Sequence, residues 1–201
     1  MNVKNRIKVY VCDIPDISEI DMSEVGTFPE YRQQRILSAG SERAKAANYA
    51  AGLMLRDILK VRCDADISFA GKGKPYLAAG SPFFSLSHDD LHVVLAVGDC
   101  ETGADTEVFR KIKESVRKRV FTEEEMAFCG DDIKKGVWLW TRLEAVLKLS
   151  GDGIGGIDKR SFSLLEDREG LYIDTFEKDG SVISVACKDP FEAEVMNLAA
   201  E

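Results

Sequence analysis

Short stretches in which apolar and polar residues alternate predict β-strands in both halves of the chain. Such stretches lie at residues 6–11, 66–70, 74–77, 83–87, 91–97 and 102–108, and glycine or aspartate residues separate several of them. A last antiparallel group is predicted at residues 161–165, 171–176 and 181–187, with Lys178-Asp-Gly as a hairpin turn. Residues 13–28 hold no such pattern and are interpreted as a connecting loop.

Apolar residues at helical spacing predict five helices between these groups. The predicted helices cover residues 29–37, 42–59, 110–120, 122–129 and 132–150. Pro29 suits a helix start, Ser41 is a candidate N-cap, Thr122 and Glu125 match a capping box, and Gly151 is expected to end the last helix. Because strands and helices come in blocks, the sequence favours an α+β fold. The order of strand, helices and strands occurs roughly twice, which suggests two similar halves at residues 1–99 and 100–201.

Composition and charge narrow the class of protein. The 201 residues are 45% hydrophobic and 31% charged, which is ordinary for a globular protein, and the net charge of −8 argues against nucleic-acid binding. No apolar run approaches the roughly 20 residues needed to span a membrane, and the N-terminus is unlike a signal peptide. The five scattered cysteines form no C-x-x-C motif, so we expect reduced thiols in the cytoplasm.

Two pairs of ionisable residues carry candidate chemistry. Glu144 and Lys148 are four residues apart on one face of the predicted helix 132–150, a spacing that is also common in simple surface ion pairs. Asp105 and Glu107 should point to the same side of a strand. Two neighbouring carboxylates repel each other unless a cation lies between them or one is protonated. Adjacent oxygen ligands of this kind are typical of Mg²⁺ sites.

Two glycine-rich segments resemble nucleotide-binding loops only superficially. Residues 151–156 fit G-x-G-x-x-G, but they follow a helix, whereas the dinucleotide fingerprint follows a strand. Residues 71–75 lack the G-K-[S/T] ending of a P-loop. Neither segment is therefore predicted to be a nucleotide-binding loop of these classes.

Three motifs in order resemble those of the 4′-phosphopantetheinyl transferases of the surfactin-synthetase-activating type. The motifs are Gly73-Lys-Pro-Tyr-Leu with Phe84-Ser-Leu-Ser-His, then Gly103-Ala-Asp-Thr-Glu, then Trp140-Thr-Arg-Leu-Glu-Ala-Val-Leu-Lys-Leu-Ser-Gly. The usual family pattern reads G-K-P-x-L, F-N-x-S-H-S, G-[I/V]-D-[I/V]-E and W-[S/T]-x-K-E-A-x-x-K-x-x-G. The core of the resemblance covers about residues 71–153 and also implies two similar halves with a site in the cleft between them.

The resemblance implies Mg²⁺-dependent transfer of phosphopantetheine from coenzyme A to a serine of an acyl or peptidyl carrier protein, with release of 3′,5′-ADP. Asp105, Glu107 and Glu144 would hold Mg²⁺. Glu144 would alternatively take the serine proton, directly or through water, and Lys148 would protonate or stabilise the departing phosphate. The implied coenzyme A-binding residues are Lys74, Pro75, Ser87, His88, Asp105 and Lys148.

The chain also departs from this pattern at several positions. Leu143 stands where the family often has a lysine, and Ala47 lies near a position where relatives place a phosphate-binding arginine. Thr106 replaces a branched apolar residue, and Asp89 follows His88 where serine is common. The cations near Ala47 that could substitute are Arg32, Arg35, Arg43 and Lys45. An alternative interpretation is therefore a catalytically weakened relative that binds coenzyme A or a carrier protein without turnover; an unrelated acidic binding module is a third.

A basic stretch at residues 110–119 contrasts with the acidic chain as a whole. It is either an ordinary solvated helix face or a patch that steers an acidic carrier protein toward the site. The residues predicted to bind the carrier are Arg110, Lys113, Arg117 and Arg119. The implied duplication within one chain also favours a monomer.

Overall fold

The computed structural model describes residues 5–71, 73–151 and 162–198. The strands in this part of the chain are β1 (Asn5–Asp13), β2 (Ile67–Ala70), β3 (Lys74–Leu77), β4 (Phe83–His88), β5 (His92–Gly98), β6 (Thr102–Val108), β7 (Tyr172–Lys178), β8 (Ser181–Cys187) and β9 (Phe191–Leu198). The helices are α1 (Met22–Val25), α2 (Glu30–Leu37), α3 (Glu42–Asp57), α4 (Glu114–Val120), α5 (Glu123–Cys129) and α6 (Ile133–Ser150). The mixed α+β content confirms the predicted fold class.

Two main sheets pack face to face, and a long helix covers the outer face of each. The first sheet has the strand order β4-β5-β1-β9 and the second the order β6-β8-β7, while β2 and β3 form a separate hairpin. On β5, Val93 and Leu95 pack against α3, whereas Val94 and Ala96 belong to the core between the sheets. On β8, the entire strand is buried. A strand buried on both faces needs apolar residues or polar residues with buried partners. This explains the continuous apolar run of β5 at residues 93–97. It also explains the hydrogen bonds of the two buried serines of β8, Ser181 with His92 and Ser184 with Thr141 and Thr175.

The C-terminal strand returns to the first sheet. Strand β9 pairs with β1 in parallel, with Asn5 opposite Phe191 and Cys12 opposite Leu198. The first sheet thus includes residues from both sides of position 99. The division into residues 1–99 and 100–201 stays a prediction.

Helix α6 lies unusually close to β6 because position 103 is a glycine. A Cβ atom at Gly103 would lie 2.0 Å from the carbonyl oxygen of Ala145 and 2.3 Å from the amide nitrogen of Leu149. These are backbone atoms of α6, so no side-chain rotation could relieve the overlap. The absence of a side chain at Gly103 therefore sets the distance between the strand and the helix.

Most predicted elements are confirmed to within a few residues. Ser41 caps α3, Thr122 and Glu125 form the capping box of α5, and Gly151 ends α6 with a φ of 76°. The glycine-rich segment 151–156 lies outside the described residues after Gly151, and Lys72 also lies outside them.

Four predictions of secondary structure are wrong. The predicted loop at residues 13–28 contains a 3₁₀ turn and α1, because Asp16 and Asp21 cap them through side-chain hydrogen bonds. Helix α4 begins at Glu114 instead of residue 110, because the preceding residues are extended. Residues 162–165 are not a strand. Strand β9 was not predicted, because it is half-exposed, carries several polar residues and is stabilised by pairing with the distant strand β1.

Candidate functional site

The predicted site residues meet where the edge strands β4 and β6 of the two sheets lie side by side. Because these strands belong to different sheets, side chains supply the hydrogen bonds that join them. Ser85 Oγ accepts the amide hydrogen of Ala104 at 2.9 Å, and Ser87 Oγ donates to Asp105 Oδ1 at 2.8 Å. We call this row of contacts the β4–β6 seam; the cleft beside it is bounded by α6.

Asp105 is the centre of a buried polar cluster. Lys148 Nζ, from α6, donates to Asp105 Oδ1 at 2.7 Å and to Ser87 Oγ at 2.6 Å. The side chain of Asp105 is 8% exposed, so its negative charge is balanced by the lysine and not by bulk solvent. Its second oxygen, Oδ2, is buried and has no hydrogen-bond partner among the described residues. A buried carboxylate oxygen without a donor is costly, and it is open to an additional cation.

Glu107 is held two residues further along β6 by two donors. Trp140 Nε1 donates to its Oε1 at 2.9 Å, and Arg110 donates to both carboxylate oxygens, at 2.9 and 3.0 Å. Trp140 had no predicted role, although it stands four residues before Glu144 and eight before Lys148. This spacing brings all three to the same side of α6, facing β6.

Glu144 lies on α6 and lines the cleft. Burial first, and then the negative charge of Asp105, raise the pKa of Glu144 to about 7; Lys148 opposes this rise and Glu107 adds a smaller increase. The carboxyl group is therefore expected to titrate near neutral pH. A group with a pKa near neutrality can either take or give a proton.

Two adjoining cavities open beside the seam, and both have Lys148 in their walls. The first is bounded by Arg32, Arg35, Ser87, His88, Asp105 and Glu107, among others. The second is bounded by Lys74, Pro75, Phe84, Leu86, Glu144 and Gly151, among others. Pro75 contributes to both. The structure thus brings together every residue predicted to bind metal or coenzyme A along one continuous cleft.

Lys74 has contacts that differ from those of an exposed phosphate-binding lysine. Its ammonium donates to the carbonyl oxygens of Thr102, at 3.1 Å, and Leu149, at 3.3 Å. These hydrogen bonds link the β2–β3 hairpin to β6 and α6. Burial lowers the pKa of Lys74.

Arg32 is the most deeply buried cation of the cleft. It is 4% exposed, and its Nη1 donates to Asn48 Oδ1 at 3.1 Å. Its Nε has no hydrogen-bond partner within the part of the chain that the structure describes. By contrast, Arg43 donates to backbone carbonyls of Ile14 and Asp90 and is absent from the walls of both cavities. Ala47 is buried in the core between α3 and the first sheet. Of the cations considered from sequence, Arg32 and Arg35 reach the cleft.

The basic stretch is partly neutralised by contacts within the protein. Arg110 pairs with Glu107, and Arg117 donates to the carbonyl oxygen of Gly130 and to Cys129 Sγ. Lys113 and Arg119 are exposed to solvent.

No three or more His, Cys, Asp or Glu side chains within residues 5–71, 73–151 and 162–198 are grouped closely enough to hold a metal ion. The predicted ligands Asp105, Glu107 and Glu144 therefore do not form a ready-made metal cluster. Two of them are already paired with cations of the protein, Asp105 with Lys148 and Glu107 with Arg110. An added cation would nevertheless give the unpartnered Oδ2 of Asp105 a partner, and it would lower the raised pKa of Glu144. On these two observations, the donor set fits a divalent ion.

Residues 101–193 match the family model of the 4′-phosphopantetheinyl transferase superfamily. The match covers slightly less than half of the chain and contains β6, α6 and the carboxylates of the cleft. A search of curated proteins gave no match. Among the described residues, no helix is both long enough and apolar enough to cross a membrane. The family match supports phosphopantetheine transfer in general terms.

Proposed function

We propose that the protein transfers 4′-phosphopantetheine from coenzyme A to a serine of an acyl or peptidyl carrier protein and releases 3′,5′-ADP. The observation that carries this proposal is the cluster of Ser87, Asp105 and Lys148 on the wall of the cleft, beside Glu144. The cluster joins residues from two sheets and a helix, and part of it lies in the segment that matches the superfamily.

In this proposal Glu144 either completes the metal site or receives the proton of the carrier serine, directly or through water. In the metal-free protein burial and the neighbouring carboxylates raise its pKa to about 7, which suits the second role at neutral pH. Lys148 provides a positive charge for the phosphate oxygens as the bond to the 3′,5′-ADP leaving group breaks. His88 and Pro75 bound the nucleotide part of the cleft, and Lys74 fixes the hairpin that forms its far wall.

Asp105, Glu107 and Glu144 would hold Mg²⁺, which when bound supplies positive charge against the pyrophosphate. Asp105 contributes its unpartnered Oδ2. Trp140 keeps the Glu107 carboxylate oriented toward the cleft through its 2.9 Å hydrogen bond.

Arg32 is proposed to bind a phosphate group of coenzyme A in place of the cation that is missing at Ala47. Its buried, unpartnered Nε is available for an anion, and Arg35 adds a second positive charge in the same cavity. A charged hydrogen bond of this kind is worth about 1.5–3 kcal/mol.

The direct test is intact-protein mass spectrometry of an apo carrier protein incubated with this protein, coenzyme A and Mg²⁺. A gain in mass equal to one phosphopantetheine is expected with the wild type. Asp105→Asn and Glu144→Gln should abolish the gain, whereas Asp131→Asn, a change at an exposed aspartate, should not. No gain with several carriers would refute the proposal.

The carrier protein is proposed to dock on the basic stretch at residues 110–119. Reversal of the exposed charges at Lys113 and Arg119 to glutamate should raise the KM for the carrier while the KM for coenzyme A stays unchanged. The same reversal at exposed Lys8 and Arg62, on the first half of the chain, is the charge-matched control. Equal effects of the two double variants would remove this surface from the proposal.

The alternative of a relative that binds without turnover is favoured by one observation. Ala47 is buried in the core and supplies no charge to the cleft, so coenzyme A binding relies on fewer cations than the family pattern implies. Isothermal titration calorimetry that detects coenzyme A binding, together with no mass gain on any carrier, would support this alternative.

A further inference from the structure

We propose that Asp89 and Thr106 form a positioning pair that fixes His88 in the cleft. Thr106 Oγ1 donates to Asp89 Oδ2 at 2.9 Å. This contact is the third of the β4–β6 seam, after Ser85 with Ala104 and Ser87 with Asp105. The inference deepens the proposed function, because it concerns how the same site holds its ligand.

Both oxygens of Asp89 are used, and each has a different task. Oδ1 accepts the amide hydrogens of Leu91, at 2.7 Å, and His92, at 2.8 Å, which shapes the turn between β4 and β5. Oδ2 anchors that turn to β6 through Thr106. One carboxylate therefore defines the turn and also attaches it to the strand that carries Asp105.

His88 is the residue whose position depends on this attachment. It is the last residue of β4, it is exposed, and it bounds the same cavity as Thr106 and Glu107. On its other side the turn is held by Arg43, which donates to the carbonyl oxygen of Asp90, and by the amide of Ile14, which donates to that of Leu91. The bond from Thr106 is the side-chain contact that ties this turn to β6. Without it, the end of β4 beyond Ser87, which carries His88, would be held less firmly against β6.

The two residues of the pair are also two of the departures noted from the family pattern. A branched apolar residue at position 106 could not donate a hydrogen bond, and a serine at position 89 would have only one oxygen. The two departures thus meet in a single hydrogen bond, whose donor Thr106 is buried at 1% exposure.

The test compares Thr106→Val, Asp89→Ser and the double variant. Each single change should raise the KM for coenzyme A about tenfold, the scale of one charged hydrogen bond, with kcat changed less than twofold. Because the two residues share one interaction, the double variant should be no worse than either single variant, instead of about a hundredfold worse. Thr106→Ser retains the donor and should restore the wild-type KM.

Thr102→Val is the matched control on the same strand. Its buried hydroxyl donates to the carbonyl oxygen of Ala186 within its own sheet, at 3.3 Å, so its loss costs stability without releasing the turn. Its KM for coenzyme A should stay at the wild-type value. A multiplicative hundredfold effect in the double variant, or an increase with Thr102→Val as large as with Thr106→Val, would overturn the proposal.

A second readout does not depend on transfer activity. The chain has two histidines, His88 and His92, so the ring Cε1–H resonance of His88 can be assigned in the ligand-free protein by one substitution. Thr106→Val should shift or broaden this resonance, and Thr102→Val should not. An unchanged resonance in Thr106→Val refutes the positioning role. If the wild type fails to modify any carrier, the proposed function fails and the resonance still decides this inference.

Discussion

Replacement of Glu144 by glutamine is expected to stabilise the metal-free protein at pH 8 and to have little effect at pH 5. Burial raises the pKa of this carboxyl group from 4.5 in the unfolded chain to about 7 in the folded protein. Between these two values the folded state binds more protons than the unfolded state, so the stability of the wild type falls as the pH rises. Glutamine resembles the protonated form and does not incur this loss.

The size of the effect follows from the two pKa values. Each pH unit between them corresponds to about 1.4 kcal/mol, so the gap from 4.5 to about 7 gives an upper limit of about 3 kcal/mol at pH 8. Glu144 is partly exposed, and screening by water reduces the expected gain to about 1–2 kcal/mol. At pH 5 the gain should fall to a few tenths of a kcal/mol, because this pH lies only about half a unit above the pKa of the unfolded chain and most of the gap between the two pKa values is still above it.

Urea unfolding followed by circular dichroism, in buffer with EDTA, measures this difference. Glu169→Gln is the control for the general loss of a negative charge, because Glu169 is exposed and lines neither cavity of the cleft. A gain of the same size at pH 5 and pH 8, or a destabilised Glu144→Gln at both values, would refute the electrostatic reasoning. Addition of Mg²⁺ should reduce the advantage of the variant at pH 8, since a bound cation favours the ionised glutamate.

Three further predictions concern packing and charge in the cleft. Gly103→Ala should destabilise the protein by about 3 kcal/mol or more in urea unfolding, because its Cβ would overlap the α6 backbone. Gly136→Ala, which has open space around it, should instead stabilise the protein by up to about 1 kcal/mol. A stable Gly103→Ala variant would contradict the close approach of β6 and α6. Leu143→Lys should also lower the free energy of unfolding by about 3 kcal/mol or more without adding activity, because Leu143 is 1% exposed and packs in the core. A stable and more active variant would contradict this prediction. Arg32→Gln should raise the KM for coenzyme A about tenfold or more, while Lys45→Gln, at a cation that lines neither cavity, should not. Equal effects in steady-state kinetics would exclude a specific role for Arg32.

The sequence predicted which residues would meet in the cleft better than it predicted the contacts among them. Asp105, Glu107, Glu144 and Lys148 were recognised from their spacing and from the resemblance, and the structure brings them to one cleft. Their hydrogen bonds could not be predicted, because Ser87 lies 18 residues from Asp105 and Lys148 lies 43 residues from it. Spacing along a helix or strand reports on neighbours within that element only.

Position 143 shows a limit of motif comparison. As a departure from the family pattern, Leu143 suggested weakened chemistry. In the structure its side chain is buried in the core beside Leu139 and Leu164, away from both cavities. Whether a motif residue faces the cleft or the core depends on the packing of α6, which one sequence does not reveal.

Local chemistry determined the elements whose signals lie within a few residues. The caps at Ser41 and Thr122, the end of α6 at Gly151 and the continuous apolar run of β5 are properties of the sequence, because capping, turn geometry and burial periodicity are short-range. Tertiary structure alone decided the pairing of β9 with β1 and the β4–β6 seam. It also determined the burial that raises the pKa of Glu144. These features require segments far apart in the chain to meet, and the free energy that joins them comes from the core between the two sheets.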